Sequence, residues 1–345
     1  MSSVVVAGGA GFLGAAVVRK LLGAGESVVL LDTFDDAGEG RALKEQRLKS
    51  FGRHPRLSIV RGDGTDALLL ESTFAEHRPA TIVNAMRLPL DSAGLGPLVE
   101  ASRQAGVGLV VHLSEAALYG PRGESEIRAR EDEPIEPGED RDLLAKAAEE
   151  EALLASGLPF VILRVFAAAG PDLGPARFPQ DALEALLAGE EAFLADDAPR
   201  DFVHPEDVVR GVLMALNKRP IGEIVNLGFG QAVRPSALVR ALAVHADREC
   251  RFTVTGAPTR TSRISDMEKA WQRLGFSPQL GLDDIARATV RARLFPTEAR
   301  REYWPAVAPF ATPSVAPSEP PKPVSRRELF GMFRRPFERT RKPGS

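Results

Sequence analysis

The chain has 345 residues, 44% of them hydrophobic and 26% charged, ordinary values for a globular protein with mass for one large domain or two small ones. A single cysteine, Cys250, excludes an intramolecular disulfide and fits a reducing compartment; no apolar run of about 20 residues is present and Met1 leads straight into VVVAGGAG, so the expected location is the cytoplasm. The net charge of −3 is uneven, because seven basic residues face only Glu328 and Glu338 between Arg326 and Lys342, and the acidic remainder argues against nucleic-acid binding by the body.

In chain order, strands are predicted at 3–8, 27–32, 57–63, 81–85, 108–114 and 159–165. Each is a short, nearly continuous apolar run, as strands buried on both faces should be. Helical periodicity lies between most of them, as at 12–23 and 142–156. Strands alternating with helices predict right-handed crossovers and a parallel, doubly wound α/β sheet of the Rossmann type. After about residue 170 the alternation gives way to the amphipathic helices DALEALLAG, PEDVVRGVLMAL and PSALVRALAVHA, with a short strand at 222–228. The expected organisation is a nucleotide-binding domain over 1–170, a small mixed α/β lobe over 171–300 interleaved with it, and a Pro-rich linker with a basic tail over 301–345. Seven prolines fall in 305–323, too many for a helix or an interior strand, so order is expected to end there.

The first strand runs into Gly9-x-Gly11-x-x-Gly14, which also satisfies the wider spacing Gly8-x-x-Gly11-x-x-Gly14, and then into a helix. Glycines there permit a tight turn and let the backbone N–H groups of Phe12 and Leu13 approach a diphosphate, while the helix N-terminus favours negative charge. Asp32 ends the second strand, where a carboxylate can accept from both hydroxyls of an adenosine ribose and would repel a 2′-phosphate. The predicted cofactor is therefore NAD rather than NADP.

GGAGFLG, Asp32, RGDGTD (61–66), Tyr119-Gly120, EDEPIEP (131–137), KAAEEEA (146–152), RDFVHPEDV (200–208) and VNLGFG (225–230) recur in this order in one family. Across about residues 3–295 the chain resembles the extended short-chain dehydrogenases/reductases, the NAD-dependent epimerase/dehydratase family, whose members act mostly on nucleotide sugars. The resemblance implies that Gly8, Gly11 and Gly14 hold the diphosphate, that Asp63 and Gly64 meet the adenine, and that the second lobe holds a substrate over the nicotinamide.

It also implies where chemistry belongs. In this family a tyrosine four residues before a lysine exchanges the proton of a sugar hydroxyl, the lysine lowers its pKa and bonds the nicotinamide ribose, and a serine or threonine orients the hydroxyl. Lys146 is in place, but the tyrosine position holds Asp142 and the serine position holds Glu115, with Ser114 beside it. The fourth strand ends Asn84-Ala85-Met86-Arg87, and Ala167 replaces the asparagine that commonly binds a substrate diphosphate. Two tyrosines exist in the chain, Tyr119 in its own motif and Tyr303 at the start of the tail, so neither supplies a replacement base.

A carboxylate at 142 is poorly matched to an alcohol, and the simplest expectation is an i,i+4 pair between Asp142 and Lys146. The sharper alternative sets Glu115 against Asp142 so that repulsion makes one an acid and the other a base. The candidate catalytic residues are thus Lys146, Asp142, Glu115 and Ser114. Arg200, Arg87 and Tyr119 are the candidates for substrate contact, with Asp201 or Asp207 as the structural alternative partner of Arg200. No cluster has metal-ligand spacing, so no metal is expected.

Two function classes stay open: a nucleotide-sugar epimerase/dehydratase-like enzyme with an atypical acid/base set, or a non-catalytic NAD-binding sensor or scaffold. In SRRELFGMFRRPFERTRK, residues 325–342, Ser325 and Glu328 have capping-box spacing, and Leu329, Phe330 and Phe333 share one helix face among basic residues. That pattern suits docking on a protein partner, or on an anionic membrane surface. A homodimer using the 142–156 helix is a further expectation.

Overall fold

Seven parallel strands form the central sheet of the computed structural model, which describes residues 3–36, 39–120, 128–174, 176–256 and 263–296. They are β1 (Ser3–Ala7), β2 (Val28–Asp32), β3 (Leu57–Arg61), β4 (Pro79–Asn84), β5 (Leu109–Glu115), β6 (Phe160–Val165) and β7 (Glu223–Leu227). Their order across the sheet is β7-β6-β5-β4-β1-β2-β3. The helices are α1 (Phe12–Gly23), α2 (Arg41–Phe51), α3 (Ala67–His77), α4 (Gly96–Gln104), α5 (Arg141–Leu154), α6 (Gln180–Ala188), α7 (Pro205–Lys218), α8 (Pro235–Ala246), α9 (Glu268–Leu274) and α10 (Leu282–Leu294).

Alternation along the strands builds two cores. Val4, Val6, Leu30, Val83, Val111 and Leu163 face one side, where α1 and α7 bring Val17, Leu21, Val208 and Val212. Val5, Val29, Leu31, Ile82, Val110 and Ile162 face the other, against Leu70 of α3, Leu98 of α4 and Leu153 of α5. Strands covered on both faces need no polar side, which explains their unbroken apolar runs.

The second half of the chain is split between two jobs. β7 closes the edge of the central sheet beside β6, and α7 packs on α1. The rest makes a lobe whose core joins Leu183 and Leu186 of α6, Leu238 and Leu242 of α8, and Ile285 of α10. The sequence strand at 222–228 therefore belongs to the main sheet and not to the lobe. The prolines at 305–323 and the basic segment 325–342 lie outside the described residues. Among the described residues, no helix is long and apolar enough to cross a membrane.

Strand order reverses between β1 and β4, so the loops after those strands diverge and leave a crevice at their carboxyl ends. The glycine loop follows β1 and Ala85–Arg87 follows β4, so both candidate sequence motifs border that crevice.

Candidate cofactor and active site

The glycine loop is built for close backbone approach. Gly8 has φ +74°, and a methyl group there would stand 2.6 Å from Ala85 O; one on Gly14 would collide with Gly8 O. α1 starts after Gly11 with no side-chain cap and no acidic residue in its first turn. Its leading N–H groups, Phe12 and Leu13 among them, are thus left for an anion, which suits a diphosphate.

Asp32 is buried at the end of β2, and its carboxylate accepts from Ala10 N at 3.0 Å and Phe34 N at 3.1 Å. Lys44 Nζ lies 3.2 Å from the same carboxylate, so an adenosine ribose would share Asp32 with Lys44 rather than have it alone. Asp63, just beyond β3, is exposed and accepts from Thr65 N at 2.8 Å. Gly64 is buried beneath Met86, whose thioether fills the place a side chain at 64 would take. These residues fit an adenine dinucleotide: a backbone cradle, an acceptor for a ribose and an apolar floor.

Lys146 is almost fully buried, 4% exposed, and its ammonium donates to Met86 O and to Glu149 Oε2, each at 2.8 Å. An ammonium has three N–H groups, so one is left for a ribose hydroxyl. Glu149 was not singled out by sequence, because a second acid beside Glu150 on a helix reads as solvated surface. It is 2% exposed, and burial raises its pKa against the pull of Lys146. His112 stands 3.7 Å away through Nε2. Asn84 Oδ1 accepts from Met86 N at 3.1 Å, which turns its Nδ2 toward His112 Nδ1 at 2.9 Å and assigns the ring hydrogen to Nε2. Burial, then the Lys146 charge, lowers the His112 pKa well below its usual value, so the ring is neutral.

Asp142 does not pair with Lys146. Its Oδ2 accepts from Arg87 Nη2 at 2.6 Å across the crevice mouth, with the two side chains 58% and 49% exposed. The expected i,i+4 pair fails because Lys146 turns inward to Met86 and Glu149, while Asp142 sits in the first turn of α5, capped by Asp140. Glu115 and Asp142 both lie close enough to Arg87 to act on it by charge. Burial works against the Arg87 charge, and Asp142, Glu115 and Asp140 overcome it, so one arginine answers the carboxylates around it.

Two further candidates are buried in hydrogen-bonded networks. Ser114 is buried and donates to Glu150 Oε1 at 2.6 Å, and Arg164 grips the same carboxylate at 3.0 and 2.8 Å. Tyr119 has no exposed surface; its hydroxyl donates to Asn226 Oδ1 at 2.7 Å and the Arg164 guanidinium lies 4.7 Å over its ring. Burial pushes its pKa upward, so it is neither a substrate contact nor a base. Arg200 pairs with Asp196 at 3.0 and 2.9 Å, not with Asp201 or Asp207. Asp201 instead accepts from Ser265, Phe229 and Gly230, pinning the VNLGFG turn. Among the described residues, no group of three or more His, Cys, Asp or Glu could hold a metal ion.

Comparison with known proteins accounts for this architecture. Residues 4–228 match the model of the NAD dependent epimerase/dehydratase family. The chain is 28% identical to a UDP-glucose 4-epimerase of Lacticaseibacillus casei, covering 82% of this chain and 93% of that protein. It is 30% identical to a UDP-glucose 4-epimerase of Mycolicibacterium smegmatis, over 83% and 96%. A crystal structure of dTDP-glucose 4,6-dehydratase from Bacillus anthracis in complex with NAD shares the fold with a TM-score of 0.79 at 21% identity, over 87% of this chain and 98% of that one. The chain belongs to the NAD dependent epimerase/dehydratase family.

Proposed function

We propose that this protein binds NAD and a nucleotide-sugar-like ligand but does not perform tyrosine-driven hydride exchange. In this reading Gly8, Gly11, Phe12, Leu13 and Gly14 receive the diphosphate, Asp32 the adenosine ribose, Asp63, Gly64 and Met86 the adenine, and Lys146 the nicotinamide ribose. Bound NAD would supply a hydride acceptor. Among the described residues, neither candidate is matched to take a proton from an alcohol there: Tyr119 is buried, and Asp142 is a carboxylate paired with Arg87. The observation that carries the reading is that Arg87–Asp142 pair, standing where the sequence of the family places its tyrosine.

The test is incubation of the NAD-loaded protein with UDP- and dTDP-sugars, following NADH absorbance and epimer formation. Binding without either signal supports the reading, and turnover rejects it. A second reading, catalysis through Glu115, draws on the position of that half-exposed carboxylate at the end of β5, close enough to act on Arg87 by charge. Turnover that survives Asp142→Asn and disappears in Glu115→Gln would establish it.

We further propose a division into a cofactor domain (1–170), a ligand lobe (171–300) and a tail (301–345), a cytoplasmic location, and docking of 325–342 on a protein partner. The basic and apolar pattern of the tail supports the last of these. Assembly as a homodimer through α5 belongs to the same proposal.

A further inference from the structure

A buried ion pair lies against the glycine loop, and binding of a dinucleotide by the backbone cradle does not require it. Arg47 of α2 is 3% exposed; its Nη1 donates to Ala10 O at 3.0 Å and to Glu39 Oε2 at 2.5 Å, and its Nη2 donates to Asp172 O at 2.5 Å. Ala10 is part of the glycine loop, and a methyl group on Gly11 would stand 4.0 Å from Glu39 Oε2. The carboxylate therefore rests beside the uncapped N-terminus of α1. Both partners are incompletely satisfied: Arg47 Nε and Glu39 Oε1 are buried with no hydrogen-bond partner among the described residues.

Buried polar atoms are nearly always paired, and Arg47 Nε, a buried donor without an acceptor beside an anion cradle, calls for a ligand with acceptor oxygens, while Glu39 Oε1 is a buried acceptor without a donor that the pair leaves unsatisfied. A diphosphate is such a ligand. It cannot approach Gly11 beside an ionised Glu39 without like-charge repulsion, whereas a guanidinium bonds phosphate oxygens in fixed fork geometry.

We propose that Glu39 is a resident anion of the diphosphate cradle, and that Arg47 exchanges Glu39 for the diphosphate when NAD binds. Arg47 is then the side-chain cation of a cradle otherwise made of backbone. Glu39 acts against cofactor binding by competing for that cation.

The inference rests on NAD binding by the chain and is tested by calorimetric titration of the full-length protein with NAD. Glu39→Gln removes the competing charge and is expected to tighten NAD binding roughly threefold to tenfold, and Arg47→Gln to weaken it at least about tenfold. A purely structural pair predicts the opposite for Glu39→Gln, because breaking it would loosen the loop. Glu39→Gln decides the matter even if Arg47→Gln fails to fold: binding unchanged or weaker overturns the inference. Failure of the unaltered protein to bind NAD would overturn this inference and the functional reading beneath it together, whereas normal binding by that protein with no gain in Glu39→Gln removes the inference alone.

Discussion

Arg87 Nη2 and Asp142 Oδ2 meet at 2.6 Å, joining the residue just beyond β4 to the first turn of α5, 55 positions away in sequence. Arg87 follows the strand that borders the crevice, and Asp142 opens the helix that carries Lys146. A change at 142 alone would read as a damaged catalytic helix. Its pairing with Arg87 sets a cation and a carboxylate together at the mouth of the crevice.

Exposed ion pairs contribute little to stability, since solvent screens them and ordering the side chains costs entropy. With Arg87 and Asp142 about half exposed, Asp142→Ala should change the unfolding free energy by no more than about 1 kcal/mol in urea titrations, with a further few tenths from the helix terminus. A loss of several kcal/mol would mean the pair holds the fold.

The pair between Glu150 and Arg164 is the opposite case. Both are buried, and the carboxylate also accepts from Ser114. Glu150→Ala leaves an uncompensated guanidinium and should cost about 3–5 kcal/mol in the same titration. A mild effect would contradict the assignment of Ser114 and Tyr119 to a structural network.

Much of this was legible in sequence. Strand faces, the glycine loop and the helices α1, α5, α7 and α8 follow from periodicity and end signals that act over a few residues. The partners of the site residues do not. Lys146 can reach Asp142 by helix spacing, but its choice of Met86 O and Glu149 depends on the loop after β4. Arg47 looks like surface on α2 until that helix is laid against the glycine loop. The strand at 222–228 reads with the lobe because it follows the lobe's helices in sequence, whereas β7 returns to the sheet after an excursion of nearly sixty residues, which local pattern cannot reveal.

Glu206 makes a strong contribution to the pH dependence of stability from outside the site. Glu206, in the first turn of α7, has a buried Oε1 without a hydrogen-bond partner among the described residues, and burial raises its pKa from 4.5 to about 7, with Lys20 opposing. The folded protein therefore holds this proton where the unfolded chain has lost it. The stability linked to it is complete below pH 4.5 and is lost as pH rises through 7. Glu206→Gln should flatten that slope and raise stability above pH 7 by about 1–2 kcal/mol, allowing for partial solvation of the carboxylate. Thermal melts of both proteins across this range check it; parallel curves would refute it.

Residues 325–342 are proposed to act on something other than the fold. Deleting 324–345 should leave the melting temperature unchanged and leave sedimentation with anionic vesicles unaffected, while removing a protein that copurifies with the full chain. Loss of vesicle binding instead would assign the tail to a membrane surface.

We propose a retained cofactor site whose reaction side is occupied by the Arg87–Asp142 pair. The most direct measurement is calorimetric NAD binding followed, on the same sample, by NADH absorbance and product analysis with nucleotide sugars. Saturable NAD binding that is weakened in Lys146→Met, with no NADH and no altered sugar, is the expected result. NADH formation, or conversion of a UDP- or dTDP-sugar by the unaltered protein, would contradict it.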